Sequence, residues 1–378
     1  MNRIAWSIAG LVLSIATIEA ATAQDGITPT TILIGQSAAF SGPAAQLGIQ
    51  MRDGAKLWID QVNAQGGVNG RRIELKSRDD KYESKLAADN TKKLIDEDRV
   101  FALFAYVGTP TSQASLPIFT EAKVPFVAPF TGAELLRTPF NRYIFNVRAS
   151  YFDETERIVD HLARSGVKRF AIMYQNDSYG QAGLEGVKRA LAKRNMTLAA
   201  LGTVERNTTN VADAVKTIHA AQPEATIMIS AYSSTAEFVR QMRKAGSVSQ
   251  FFTVSFVGST ALAETLGAEG RGVMISQVVP FPWSPLVPIV KEFLDMAKRS
   301  GKVDVNFSSL EGFIAAKVLV EGLRRTGKDP TREKFISAME GISNLEIGGF
   351  LVKFSPETHN GSQYVDLSMI GREGKFIH

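Results

Sequence analysis

The sequence predicts an α/β protein in which two doubly wound parallel-sheet lobes flank a ligand cleft. Three observations predict this fold. Apolar strands alternate with segments of helical spacing from Thr31 onward. The first strands end in turns rich in glycine and hydroxyl residues, and the alternation restarts near Arg169. Because ligands of open α/β sheets lie at the carboxyl ends of strands, these turns hold the candidate binding residues.

The stretch from Thr31 to Asp80 forms the first βαβ unit. A β-branched run begins it, a loop from Ser37 to Gln46 follows, and a helical pattern then ends in a cluster of glycines before a second strand. The loop lies where a strand passes to a helix. Phe40 and Ser41 in this loop are therefore candidate ligand contacts.

The third and fourth strands carry the most informative turns. VFALFAY, residues 100–106, is a continuous apolar run of the kind buried on both faces of a parallel sheet. Gly108, Thr109 and Pro110 follow it and predict a helix start, whose unpaired N–H groups suit a carboxylate. VPFVAPFTG, residues 124–132, repeats this plan with a polar turn at Thr131.

The second half of the chain repeats the first. Strands are predicted at residues 169–174, 225–230 and 251–256. Tyr151, Tyr179 and Tyr232 lie at or just after the ends of second-lobe strands, so we expect them to line one shared surface. Two long helical patterns follow, at residues 287–300 and 307–326, and the last segment predicts a closing hairpin with its turn near Asn360 and Gly361.

The amino terminus predicts export. Met1 to Ala23 has one early positive charge, an apolar run and an A-x-A cleavage site, which is typical of a secretory signal and not of a membrane anchor. The remaining chain is long enough for two domains. The chain contains no cysteine, which excludes disulfides, thiolate metal sites, a cysteine nucleophile and lipid attachment at the cleavage site. We therefore expect a soluble protein.

The charge pattern and the motifs exclude several classes of function. The net charge of +5 comes from 43 basic and 38 acidic residues mixed along the chain, so no nucleic-acid partner is predicted. The four histidines are scattered, which leaves no metal or cofactor site, and we expect them at the surface. Neither G-x-S-x-G nor an N-terminal G-x-G-x-x-G is present. Residues 322–328 match P-loop spacing, but Asp329 follows where Ser or Thr is needed, and Gly327 is better explained as a helix end.

These residues resemble the leucine/isoleucine/valine-binding type of periplasmic solute-binding protein. The resemblance is carried by AAFSGPAAQLG and DGAKLWIDQVNAQGGVNGRRIEL and continues through FALFAYVGTPTSQASLP, VPFVAPFTGA, YQNDSYGQAGL and SLEGFIAAKVLVEGLRRTG. It implies the type I periplasmic binding fold, with interlobe crossings near residues 145, 278 and 348. The first lobe is then residues 24–145 plus 279–348, and the second is residues 146–278 plus 349–378.

The resemblance also implies a binding site without catalytic residues. In the family, turns after the third and fourth strands hold the ligand carboxylate, and cleft tyrosines match Tyr179 and Tyr232. The matching turn residues here are Val107, Gly108 and Thr109, then Phe130, Thr131 and Gly132.

The ammonium half of the family's site is changed in this chain. The family's glutamate is replaced by Phe256 or its neighbour Val257, and a buried ammonium without its carboxylate loses on the order of 2–5 kcal/mol. Glu311 and Asp177 are the acids that could substitute, and Leu47 replaces an aromatic residue that relatives often carry. The ligand is then a small carboxylate, either a hydrophobic amino acid with a rearranged ammonium site or a non-amino organic or aromatic acid.

The predicted role is to bind a solute in the periplasm without catalysing a reaction. The family delivers its ligand to a membrane permease driven by ATPase subunits, and a monomer is expected for that delivery. A soluble ligand sensor is the alternative, although the sequence given ends at His378 without a predicted signalling domain. An exported α/β enzyme is the third reading, and the missing catalytic constellation opposes it.

Overall fold

A computed structural model of the protein describes residues 24–378. The predicted signal sequence, residues 1–23, lies outside the described residues. Within residues 24–378, no helix has the length and apolar character needed to cross a membrane.

The first sheet contains five parallel strands. β1 and β2 pair along their whole length, from Thr31 opposite Arg72 to Ala38 opposite Asp79. The ladder of β3 is short because Ala105 takes a positive φ of 52°, although the whole predicted run of residues 100–106 is buried. The strands are β1 (Thr31–Ala38), β2 (Arg72–Asp79), β3 (Ala102–Phe104), β4 (Phe126–Val127) and β5 (Ile144–Phe145), in the spatial order β2-β1-β3-β4-β5.

The second sheet repeats this order and extends it. Its parallel strands are β6 (Phe170–Gln175), β7 (Leu198–Val204), β8 (Ala225–Ile229), β9 (Gln250–Thr253) and β10 (Met274–Gln277). Two further strands, β11 (Leu345–Glu346) and β12 (Leu351–Val352), form a separate antiparallel pair. Antiparallel β13 (Asp366–Ile370) and β14 (Phe376–Ile377) complete the order β14-β13-β10-β9-β8-β6-β7. The order β7-β6-β8-β9-β10 matches that of the first sheet, which confirms the predicted repetition.

Eleven α-helices connect these strands within residues 24–378. They are α1 (Ala45–Ala64), α2 (Ser84–Lys92), α3 (Thr109–Glu121), α4 (Tyr151–Arg164), α5 (Ser178–Ala192), α6 (Ala212–Ala220), α7 (Tyr232–Lys244), α8 (Ser259–Leu266), α9 (Pro288–Ser300), α10 (Phe307–Thr326) and α11 (Arg332–Glu340). A parallel strand order with helical crossovers is the α/β architecture that the sequence predicted. Gly327 follows α10 with a φ of 83°, so it ends that helix as expected and has no phosphate-loop setting.

Helix α10 returns to the first sheet and packs on α1. The two backbones approach so closely that a Cβ on Gly54 would lie 1.8 Å from the Ser309 carbonyl oxygen, and one on Gly312 would lie 2.1 Å from that of Met51. This contact requires glycine at both positions. It fixes the first turns of α10, including Glu311, beside the carboxyl ends of the first sheet's strands.

The predicted closing hairpin is wrong. Strand β12 pairs with β11, whereas β13 joins the second sheet beside β10, so the two halves of the segment belong to different sheets. Asn360 does not form a hairpin turn; it bridges Asn146 near the first crossing. Strand β7 and helices α6, α8 and α11 were not predicted. The crossings near residues 145, 278 and 348, and the lobe boundaries drawn from them, stay a prediction.

The expectation of four surface histidines is also wrong for one of them. His359 is 3% exposed and stacks on Phe145 with ring centroids 3.9 Å apart. Its Nδ1 lies 2.9 Å from the Ile144 carbonyl oxygen. Burial lowers the pKa of His359, so the neutral ring is the form that this packing stabilises.

Candidate functional site

Three buried hydroxyl groups meet where β3, β4 and β5 end. Thr109 begins α3, Thr131 follows β4, and Tyr151 begins α4 after β5. Their hydroxyls form a chain, with 2.6 Å between the Oγ1 atoms of Thr109 and Thr131, and Thr131 donating to the Tyr151 hydroxyl at 3.2 Å. Beside them, the first N–H groups of α3 have no partner within the helix. This arrangement offers several donors to an anion.

Tyr82 closes one side of this group and was not predicted from the sequence. Its N–H donates to Asp80 Oδ1 at 2.8 Å, and its hydroxyl accepts from Gln175 Nε2 of the second sheet at 3.2 Å. Its ring lies so close to Gly108 that a Cβ there would come within 2.3 Å of Tyr82 Cε2. Burial raises the pKa of Asp80 to about 7. The sequence feature that could have indicated Tyr82 is its position as an aromatic residue in the turn directly after β2.

Phe256 lies at the centre of an aromatic cluster built from both sheets. It belongs to the turn Ser255–Val257 after β9, and its ring centroid lies 4.6 Å from Tyr179, 5.6 Å from Phe130 and 5.9 Å from Tyr82. The rings of Tyr151 and Tyr179 lie 5.3 Å apart. Such rings bury an apolar body at little entropic cost while their hydroxyls remain able to bind polar atoms.

A buried arginine, also unpredicted, occupies the same region. Arg148 is 2% exposed, and its guanidinium lies 4.7 Å above the Phe130 ring. Its Nη2 donates to Ser255 Oγ, and its Nε lies 3.4 Å from Glu311 Oε1. The Nε and Nη1 atoms are buried without a hydrogen-bond partner. Although burial lowers the pKa of Arg148, the two neighbouring glutamates outweigh it and the pKa is raised.

The first of these glutamates is Glu154, in the first turn of α4. Its carboxylate accepts from the Ser255 N–H at 2.8 Å, from the Ser255 hydroxyl at 3.1 Å and from the Ser276 hydroxyl at 2.6 Å. Burial raises its pKa, while Arg148 and these donors oppose the rise. The capping box of Ser150 and Asp153 fixes the start of α4 and therefore the position of Glu154.

Glu311 is the second glutamate and lies in the second turn of α10. It is 6% exposed, and Arg148 is its ionic partner. Burial raises the pKa of Glu311 to about 7, with Arg148 opposing the rise and Glu154 adding to it. Glu311 therefore exists in both protonation states near neutral pH.

This two-sheet arrangement matches a known family. The family of periplasmic binding proteins matches residues 31–375, nearly all of the described chain. The chain belongs to this family. This periplasmic binding protein is of type I, in the Leu/Ile/Val-binding group, which confirms the predicted fold class and resemblance.

Solved structures and curated relatives agree with this assignment. A possible leucine/isoleucine/valine-binding protein from Rhodopirellula baltica SH 1 is 34% identical with a TM-score of 0.87, covering 95% of this chain and 98% of that one. A substrate-binding periplasmic protein from Ralstonia solanacearum is 33% identical with a TM-score of 0.87, covering 92% and 99%. Leu/Ile/Val-binding protein homolog 7 of Brucella abortus (strain 2308) is 23% identical over 97% of this chain and 95% of its own.

The family consists of non-enzymatic binding proteins, as the sequence predicted. A branched chain amino acid ABC transporter from Thermus thermophilus with bound valine shares the fold at 17% identity, with a TM-score of 0.83, covering 92% of this chain and 95% of that one.

The structure brings most of the predicted site residues of the binding protein together. Around the hydroxyl chain, Val107 and Phe130 form a parallel bridge, and the Gly132 carbonyl accepts from the Tyr151 N–H at 2.7 Å. Tyr151 follows a strand of the first sheet, not of the second as predicted. The predicted residues that meet here are Val107, Gly108, Thr109, Phe130, Thr131, Tyr151, Tyr179, Phe256 and Glu311.

Three predicted residues lie outside this cluster. Ser41 is exposed and its hydroxyl donates to Asp79 at 2.5 Å, while the Phe40 ring lies under Arg52 at 4.8 Å. Tyr232 is half-buried at the start of α7, where it and Leu47 both lie beside Gly258. These residues form the rim of the region between the sheets and not its centre.

The carboxylate of Asp177 already forms hydrogen bonds and an ion pair with other residues of the protein. It caps α5 by accepting from the Tyr179 N–H at 3.0 Å, and it accepts from Gln175 Nε2 at 2.6 Å. Arg206 lies 3.4 Å away. Of the two acids considered for a ligand ammonium, Glu311 is therefore the one with free accepting capacity.

Contacts at the rim join the two sheets of the binding protein. Arg206, after β7, donates from Nη2 to Glu83 Oε2 at 2.9 Å, and Asn207 donates to Glu83 Oε1 at 2.7 Å. At the other side, the Ser233 hydroxyl donates to the Pro43 carbonyl at 3.0 Å. These contacts link the loops of the first sheet to those of the second.

Proposed function

We propose that the chain is the extracytoplasmic solute-binding component of an ABC-type importer and captures a small carboxylate with an apolar or aromatic body by lobe closure. The observation that carries this proposal is the buried cluster in which hydroxyls, aromatic rings and charged groups of both sheets meet. A ligand held by residues of both sheets favours the closed arrangement, because only that arrangement makes all its contacts.

The residue types indicate the ligand class. The hydroxyls of Thr109 and Thr131, with the start of α3, are donors suited to a carboxylate. The rings of Phe130, Tyr179 and Phe256 suit a branched or aromatic body. A hydrophobic amino acid meets both requirements if Glu311 accepts its ammonium, and an organic acid without the amine meets them through the donors alone.

The transport role is supported by the family and by the amino terminus. The chain belongs to the family of periplasmic binding proteins, and residues 1–23 have the pattern of a secretory signal. Delivery then requires a membrane permease and its ATPase subunits, which recognise the closed binding protein. We expect the binding protein to act as a monomer in the periplasm.

A thermal-shift screen of residues 24–378 tests the proposed ligand class. Hydrophobic amino acids, apolar organic acids, sugars and divalent metal ions are compared at equal concentration. A ligand at 100 times its Kd raises the unfolding free energy by about 2.7 kcal/mol, which is readily measured. We expect carboxylates to stabilise the protein. Stabilisation by sugars or metal ions with none by carboxylates would refute the proposal.

Two substitutions test the proposed site once a ligand is found. Thr109→Ala and Tyr232→Ala should each weaken binding by at least about tenfold, the loss of one good hydrogen bond or ring contact. Thr209→Ala, at an exposed threonine, is the control for the first, and Tyr232→Phe separates ring from hydroxyl for the second. Unchanged affinity in both alanine variants, measured by calorimetry, would remove these residues from the site.

A further inference from the structure

One charged donor of the cluster has neither a hydrogen-bond nor an ionic partner. It is Arg148 Nη1, which is buried, whereas Nη2 donates to Ser255 Oγ and Nε faces Glu311 Oε1 at 3.4 Å. The Tyr179 hydroxyl is also buried without a hydrogen-bond partner. Leaving buried donors unpaired is costly, more so when the donor is charged. The site is therefore better suited to a group that accepts hydrogen bonds than to one that donates them.

The charges of the cluster also favour a ligand group that accepts hydrogen bonds. Glu154 accepts from the Ser255 N–H and lies 3.9 Å from Arg148 Nη2, so the guanidinium already has an acidic neighbour on this side. The turn after β9, where the resemblance implies a glutamate for the ligand ammonium, instead carries Ser255 bonded to the Arg148 guanidinium. An ammonium placed at this turn would face a buried positive charge.

We propose that Arg148 receives the ligand carboxylate through its Nη1 atom, and that the solute is an apolar or aromatic carboxylic acid without an α-amino group. This inference rests on the proposed function and narrows its ligand class. A carboxylate oxygen on Nη1 pairs this free donor in a charge-assisted hydrogen bond. The Phe130 ring below the guanidinium then contacts the apolar body next to the carboxylate.

Glu311 sets the pH dependence of this binding. Arg148 and Glu154 are the charged groups that act on it. An ionised Glu311 would repel the incoming carboxylate, so a proton from solvent must occupy Glu311 when the anion binds. Because burial raises the pKa of Glu311 to about 7, this proton is present at acidic pH and becomes costly above neutrality. Anion affinity should fall about thirtyfold between pH 6 and pH 8.5.

Matched pairs of probes test the ligand class by calorimetry on residues 24–378. 4-Methylpentanoate is compared with leucine, and 3-phenylpropanoate with phenylalanine, since each pair differs only by the α-amino group. We expect the amine-free member of at least one pair to bind at least about tenfold tighter than its amino acid. Tighter binding of the amino acids would overturn this inference and leave the proposed function standing. Binding of sugars alone would refute both.

Glu311→Gln gives opposite results for the two ligand classes. The substitution keeps the side-chain shape but removes the negative charge, so an anion should bind at least threefold tighter at pH 8 and lose its pH dependence. An ammonium ligand would instead lose its partner and bind at least tenfold weaker, which would overturn the inference.

Arg148→Lys should weaken anion binding by at least tenfold. The far-ultraviolet circular dichroism spectrum of the variant checks that it is folded. Equal affinity in that variant would also overturn it.

Discussion

Gly108→Ala should destabilise the protein far more than an ordinary glycine substitution. Gly108 has a φ of 105° and a ψ of 151°, a region that residues with a Cβ rarely adopt, at a backbone cost of about 1–3 kcal/mol. The new Cβ would also lie 2.3 Å from Tyr82 Cε2. Because Tyr82 is fully buried and packs against Phe256, its ring has little room to move, which adds about 1–3 kcal/mol of overpacking.

The assay is urea unfolding followed by circular dichroism, with Gly246→Ala as the matched control. Gly246 has a φ of 82°, and a Cβ there meets nothing within 4 Å, so only the backbone cost applies. Gly108→Ala should therefore lose at least about 1 kcal/mol more unfolding free energy than the control. Adding Tyr82→Ala should remove this excess, because it removes the ring. Equal losses in both single variants would show that α3 and Tyr82 do not pack as described.

Two further predictions concern the rim and the buried histidine. Arg206→Ala should raise the ligand dissociation rate by up to about threefold at low salt and by less at high salt. The reason is that it removes a half-exposed ion pair with Glu83 that stabilises the proposed closed form. An unchanged rate at low salt in stopped-flow measurements would contradict this role of the ion pair. His359→Asn, which can still donate to the Ile144 carbonyl, should make the unfolding free energy less sensitive to pH. The pKa of His359 is lowered in the folded state, so the unfolded chain takes up the proton first and stability is lost as pH falls below about 6.5. An identical pH profile for the variant and the original protein would contradict this assignment.

The sequence was sufficient for the architecture because the repeated alternation of strand and helix restricts the topology strongly. The starts of α3 and α7, at Thr109 and Tyr232, follow directly from strand ends and helix signals. The closing hairpin failed because alternation at period two shows that a segment is extended but not which strand it joins. β12 and β13 have the same pattern and belong to different sheets.

The charged part of the site could not be predicted for a different reason. Arg148 lies three residues after β5, and nothing in its local sequence distinguishes an exposed loop arginine from a buried one. Its position depends on Ser255 and Glu311, which are distant in sequence and come together only when both sheets and α10 are in place. Tyr82 and Glu154 were missed on the same grounds, since their roles depend on partners distant in sequence, Gln175 for Tyr82 and Ser276 for Glu154.

A crystal structure of the protein with a bound carboxylate would locate the binding site. We expect ligand density between the ends of the two sheets, within hydrogen-bond distance of Thr131 or Arg148 and in contact with Phe256. Density at any other surface, such as the apolar groove beside Trp283 and Phe376, with the region between the sheets unchanged, would contradict it.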